Sequence, residues 1–230
     1  MSLSVTFCGA PIESRSRFSG AAVRRCYREA GHSGGHQEYP YLQHLSEVAP
    51  KVKAKIVRDA TMTTGASWKS TDAGPNRILR WVMLLSDEQL LELGVDMGSL
   101  RELVVAKLRE KSAPYEDCMA VAQKLTWLAY CMPGAPEPPE TVREYLEALF
   151  GQIPPGSTTC LICRLPIEFQ QFGGARRGRA EIESAHRNPR SHTADNVGFA
   201  HRSCNIAQGD KTVDEFYVWI EEILSRAGRG

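Results

Sequence analysis

At 230 residues, with 42% apolar and 24% charged positions, the chain is composed as a soluble globular protein of one large or two small domains. The opening MSLSVTFCGAP lacks the apolar core of a secretion signal, and the longest apolar stretch, ILRWVMLL, is far too short to span a bilayer. A secreted or membrane protein is therefore not expected, and a reducing cytoplasm is. The net charge of +1 hides an uneven distribution. Residues 1–60 hold nine Lys/Arg against five Asp/Glu, residues 61–159 nine against thirteen, and residues 160–211 eight against five. Basic ends around an acidic middle fit a nucleic-acid partner even when the total is near neutral.

The first segment contains Cys8, Cys26, His32 and His36, spaced C-x17-C-x5-H-x3-H. Ser19 is placed to cap a short helix over GAAVRRCYREA that carries Cys26 and ends at Gly31. His32 and His36 follow in the glycine-rich turn AGHSGGH. Two cysteines and two histidines are a normal tetrahedral zinc set. The alternative is one buried cysteine, one exposed cysteine and two loop histidines, but so short a stretch favours zinc. Arg24, Arg25 and Arg28 could contact phosphates or form a solvated face.

A helix is expected over Leu42–Ala60, interrupted at Pro50. Its second part, KVKAKIVRDA, alternates basic and apolar residues, as along a DNA backbone or on a solvated face. TMTTGASWKSTDAGPN reads as a loop, with Lys69 and Asn76 suited to phosphate or base-edge contacts. Residues 76–131 read as helical. Ser86–Gln89 is a capping box, SLRELVVAKLREK repeats apolar residues at helical spacing, and Pro114 opens a longer helix. Cys118 and Cys131 lie in that helix with no partner pattern and read as core. The acidic outer face of this block suits a scaffold or a dimer surface.

MPGAPEPPE is the clearest linker, and a short amphipathic helix, TVREYLEALF, follows it. At the C-terminus, TVDEFYVWIEEILSRA reads as an amphipathic helix whose Phe216, Trp219, Ile220 and Leu224 belong to the core. These breaks divide the chain into a basic zinc-binding segment (1–60), a helical scaffold or recognition region (61–135) and a C-terminal module (136–230).

The C-terminal module is organised around CLICRLPIEFQQFGGARRGRAEIESAHRNPRSHTADNVGFAHRSCNIAQGDK. It opens on a CxxC knuckle, Cys160 and Cys163, and closes on an HxxC knuckle, His201 and Cys204. Together they make a closed four-ligand set, the form of a structural zinc site. Seven cysteines in this arrangement, without a secretion signal, are not a disulfide framework.

The order CxxC, AHRNP, NVGFAHRSCN resembles the HNH endonucleases of the ββα-metal fold, over about a quarter of the chain. The resemblance implies an α+β protein, a mainly helical N-terminal region followed by a ββα-metal nuclease module. It puts His186 at the family's first histidine, Asn196 at its central asparagine and Asn205 at its terminal His/Asn position. The usual acidic ligand before the histidine is replaced by Ala185, as in some branches of the family. Glu183, two residues earlier on the same strand face, is the candidate substitute, and Ala185→Asp is expected to raise activity.

In that reading His186 is the general base, and activity falls as pH drops through about 6.5. Asn196 holds the loop and orients the imidazole, and Asn205 offers its carbonyl oxygen to magnesium or another divalent cation. Arg187 and Arg190 would hold the scissile phosphate, while Arg176, Arg177 and Arg179, in the loop FGGARRGRA, would follow the backbone of double-stranded DNA. His192 reads as a spare, solvent-facing loop residue. The expected function is a metal-dependent, restriction-type DNA endonuclease with two structural zinc ions, acting as a possible homodimer. The alternative is a catalytically silent zinc module that binds nucleic acid, for which Ala185 is the best support.

Overall fold

The computed structural model describes residues 6–13, 22–63, 78–173 and 181–229, and the backbone alone of 175–176 and 179–180. Ser19, Lys69, Asn76 and Arg177 lie outside the described residues. The protein is α+β, mainly helical with small antiparallel sheets.

The N-terminal segment corrects one expectation. The described part of GAAVRRCYREA is extended and pairs with residues 6–12. Cys8 N–H donates to Arg28 O at 2.8 Å, and Cys26 N–H donates to Ala10 O at 2.9 Å. Helical propensity here is only a weak prior. The ladder brings Cys8 and Cys26 onto adjacent backbones, which no single helix could do.

After a 3-10 turn at Pro40–Leu42 come α1 (Gln43–Val48) and α2 (Pro50–Thr61), with Pro50 at the start of α2, where its missing N–H is not needed. The stretch expected to be helical from residue 76 is instead extended at Leu79, which bridges to Met62, and then a 3-10 helix, Arg80–Leu84. Helix α3 (Asp87–Glu92) begins at the expected capping box, Ser86 with Gln89. Helices α4 (Glu102–Glu110), α5 (Tyr115–Tyr130) and α6 (Glu140–Phe150) follow. Gly151, at φ 82°, lets the chain leave α6.

The remaining elements are a 3-10 turn (Phe169–Phe172), the pair β1 (Ala175–Arg176) and β2 (Arg179–Ala180), the hairpin β3 (Ile182–His186) and β4 (Val197–His201), then α7 (Arg202–Gln208) and α8 (Val213–Arg226). Strands β3 and β4 are antiparallel, with Glu183 opposite Ala200, Ala185 opposite Gly198 and His186 opposite Val197. Helix α8 starts at a second capping box, Thr212 with Glu215.

Helix α5 is the centre of the molecule. Its N-terminal Tyr115, Cys118 and Met119 pack with Trp81, Val82, Met83, Leu90 and Leu108. Its C-terminal Val121, Ala122, Leu125 and Ala129 pack with Leu45 and Ile56 and with Phe199 and Ala200 of β4. A helix buried on several sides in this way must be apolar on several sides. Removing the Leu125 side chain would cost about 2–5 kcal/mol. The same core ties the hairpin to α2, so the hairpin is held against the N-terminal helices.

Helix α8 corrects a third expectation. Phe216 is buried and Ile220 packs partly against the core, but Trp219 and Leu224 are each 40% exposed. Only one side of this helix is covered.

Candidate active site

The two Cys/His sets each come together. In Cys8, Cys26, His32 and His36, and again in Cys160, Cys163, His201 and Cys204, the donor atoms all lie within 4.8 Å of one another. Cys8 Sγ is 3.5 Å from His36 Nδ1, Cys26 Sγ is 3.4 Å from His32 Nε2, and Cys163 Sγ is 3.3 Å from His201 Nδ1. Zinc–sulfur and zinc–nitrogen bonds of about 2.3 and 2.0–2.1 Å, held tetrahedrally, put S and N about 3.5 Å apart. Both sets could therefore hold zinc. Each has four protein donors, which leaves no open position for substrate, so their chemistry is structural.

A cleft of about 540 Å³ lies between the hairpin and the N-terminal helices. From the hairpin side His186, Glu183, Asn205 and Arg190 line it; from the helical side Lys55, Asp59, Arg80 and Lys111 do. His186 is the last residue of β3, and its backbone carbonyl accepts from Gln208 Nε2 of α7 at 3.0 Å. Its imidazole Nε2 is 2.9 Å from His192 Nδ1, and His192 Nε2 is 2.7 Å from the carbonyl oxygen of Ala60, in the last turn of α2. His192 is thus not a solvent-facing spare. It is 8% exposed and joins the loop to α2.

Burial pushes His186 down to about 3, and the positive charges of Arg80 and Lys111 push in the same direction; Asp59 opposes them. Burial likewise pushes His192 down to about 2, helped by Arg80. Both rings are neutral at physiological pH. The expectation that His186 loses its neutral form near pH 6.5 is corrected accordingly.

The helical wall was missed in the sequence. Asp59 is buried, which alone would raise its pKa, but Lys55 at 2.9 Å and Arg58 at 2.9 Å hold the carboxyl below its ordinary value. Ser184 Oγ donates to the same carboxylate at 3.0 Å. Arg80 is 4% exposed. Its guanidinium donates to Lys111 O at 2.9 Å and Asp59 O at 3.3 Å, and its Nε has no hydrogen-bond partner among the described residues. Burial pulls Arg80 down to about 10, still charged at neutral pH. The one signal available was KVKAKIVRDA, where Lys55 and Asp59 fall one helical turn apart. Nothing in the sequence marked Arg80 or Lys111.

Asn196 holds the loop, as expected: its Oδ1 accepts from Asn188 N at 2.8 Å, and its Nδ2 donates to Asn188 O at 2.8 Å and Ser191 O at 2.6 Å. These bonds are to backbone, so the imidazole is oriented by His192 and not by Asn196. Asn205 and Glu183 meet, with Asn205 Nδ2 donating to Glu183 Oε2 at 2.8 Å. The other carboxylate oxygen of Glu183 pairs with Arg202. Arg190 lines the cleft; Arg187 is exposed outside its lining. Arg176 and Arg179 lie on β1 and β2, and their side chains are outside the described residues.

Residues 38–204 match the DraIII family of restriction endonucleases. A solved type II restriction endonuclease is 45% identical, with a TM-score of 0.84, over 96% of this chain and 98% of that one. No curated protein matches. Among the described residues no helix is long and apolar enough to cross a membrane.

Proposed function

The chain belongs to the DraIII family of restriction endonucleases, and from that premise we propose that it cuts double-stranded DNA at the cleft around His186 by a one-metal, HNH-type mechanism. The observation that carries this reading is an imidazole at the end of β3, its Nε2 2.9 Å from His192 Nδ1, inside a cleft whose walls supply cations from two parts of the chain.

Neutral His186 takes a proton from water, and the water oxygen attacks phosphorus. The P–O3′ bond breaks, leaving a 5′-phosphate, and the departing 3′ oxygen takes a proton from solvent to become the 3′-hydroxyl. General-base assistance of this kind is worth about 10²–10⁴-fold. Arg80, Lys111 and Arg190 place positive charge around the phosphate. Arg80 suits this because, among the described residues, its guanidinium bonds to carbonyl oxygens and to no carboxylate, while Asp59 is engaged by Lys55 and Arg58.

Glu183 and the Oδ1 of Asn205 would hold a divalent cation, whose charge stabilises the leaving 3′ oxygen when it is bound. Both donors are oxygens, which suits a hard ion; Asn205 turns its Nδ2 toward Glu183 here, so its amide would turn over for Oδ1 to join the carboxylate on one cation. Magnesium tolerates so few protein ligands because it keeps several waters. Zinc at the two closed Cys/His sets has a structural part only. A second copy would supply the second cut, and light scattering with a cognate duplex would expose a one-to-one complex that only nicks.

His186→Ala is the deciding variant. Cleavage of a mixed plasmid panel with magnesium is expected to fall at least ~10²-fold, with zinc content and DNA affinity kept, because affinity comes from Arg and Lys contacts to phosphate. Cutting at the wild-type rate would remove His186 from the mechanism. Loss of zinc would make it structural and favour a silent binding module.

A further inference from the structure

We infer that His192 is a positioning residue that fixes the tautomer of His186, so that Nδ1, and only Nδ1, is free to take a proton. This rests on the reading of His186 as the base.

The inference follows from one acceptor. The carbonyl oxygen of Ala60 has no hydrogen to give, so at 2.7 Å the bond must run from His192 Nε2–H to Ala60 O. His192 is 8% exposed, and no carboxylate bonds to its ring among the described residues. Charging it would leave an unpaired buried cation beside Arg80. It therefore stays neutral, with one N–H and one lone pair, and the lone pair sits on Nδ1. His186 Nε2, 2.9 Å away, must then be the donor. A neutral His186 with its proton on Nε2 has its lone pair on Nδ1. The direction of the chain, His186 to His192 to Ala60, is set from its far end, and the tautomer of a histidine is decided by the bond its other nitrogen makes.

The consequence is directional. When Nδ1 takes the proton of water, His186 becomes an imidazolium whose Nε2–H still points at a lone pair. That bond strengthens as the charge develops. If His192 were turned or charged, Nε2 of His186 would be the acceptor and Nδ1 would carry the proton, leaving no base toward the water. The anchor lies on α2, outside the hairpin, so the N-terminal helices hold the base in register. The loop carrying His192 is itself braced by the Asn196 amide.

The test uses full-length, zinc-loaded protein with 15N-labelled histidine. Long-range 1H–15N correlation of wild type is expected to give His186 the pattern of an Nε2–H ring with a bare Nδ1. His192→Leu removes both bonds and should mix the two tautomers. At saturating DNA it should lower kcat by ~10²-fold or more, with KM little changed. His192→Gln keeps one acceptor and one donor, so it should restore the wild-type tautomer and much of kcat. A bare Nε2 on wild-type His186, or a kcat in His192→Leu equal to wild type, would overturn the inference. If His192→Leu fails to fold, the wild-type spectrum and the glutamine variant still decide it. Full activity in His186→Ala would instead defeat the general-base reading, and the tautomer pattern would be read independently of that result.

Discussion

Ala185 faces Gly198 directly across the β3–β4 ladder, and the side chain of Leu161 packs against Gly198. A Cβ at position 198 would stand 3.2 Å from Leu161 Cδ1, so a side chain there would make Leu161 give way by a few tenths of an ångström. Ala185 is 1% exposed and belongs to the same core.

This contact reverses the expectation for Ala185→Asp. The new carboxylate would enter an apolar site with no described partner, and a buried unpaired charge is strongly unfavourable. The variant should lose about 2–4 kcal/mol of stability or more and gain no activity. Urea unfolding at neutral pH measures this. A variant as stable as wild type and more active would mean that the acid reaches the cleft.

Glu183 is the available acid, and it is already in use. Arg202 and Asn205 both bond to it, so it is oriented but half-neutralised. Glu183→Gln keeps the shape and removes the charge. The magnesium concentration for half-maximal cleavage should rise ~10-fold or more, while DNA affinity without metal should be unchanged or slightly tighter. An unchanged magnesium titration would reduce Glu183 to a partner of Arg202.

The two Cys/His sets give a prediction that does not depend on catalysis. Elemental analysis of chelator-free protein should find about two zinc ions per chain. Cys8→Ser should lose one of them and keep the C-terminal site. One ion in the wild type would remove the N-terminal site, and none would remove both.

What was legible in the sequence was what depends on short spacing. The knuckles Cys160–Cys163 and His201–Cys204, the strand ending at His186, and the Ser86 capping box are all local patterns, and each is in place. The spacing of Cys8, Cys26, His32 and His36 also brings them together, but Cys26 lies on extended backbone and not on a helix, because pairing with residues 6–12 overrides local propensity. The opposite wall of the cleft was illegible. Asp59 meets Ser184 across 125 positions, and His192 meets Ala60 across 132. A lone arginine such as Arg80 carries no pattern at all. His192 looked idle because a loop histidine shows its partner only when the loop is folded against α2. The unmet core assignment of Trp219 and Leu224 has the opposite cause: helical periodicity marks an apolar face, not whether anything covers it.

Acid should destabilise the protein well above the pH at which its carboxylates titrate. His186 and His192 sit near 3 and 2 in the folded state, because burial disfavours their charged forms and Arg80 repels them, with Lys111 adding to both and Asp59 only partly opposing at His186. In the unfolded chain each titrates near 6.5. Between those values the unfolded state binds more protons than the folded one, so stability rises with pH. It is full above about pH 6.5 and is lost as the pH falls, by about 1.4 kcal/mol per unit for each histidine. At pH 5 the loss is about 2 kcal/mol for each. Loss of any zinc held by the two Cys/His sets would also weaken the protein in acid, so the comparison that isolates the pair is with His192→Gln, which keeps both sets. Going from pH 7 to pH 5, the variant should lose about 2 kcal/mol less than wild type in urea unfolding. Parallel losses would mean that His192 takes up its proton in the folded state, and that the ring is not held neutral between His186 and Ala60.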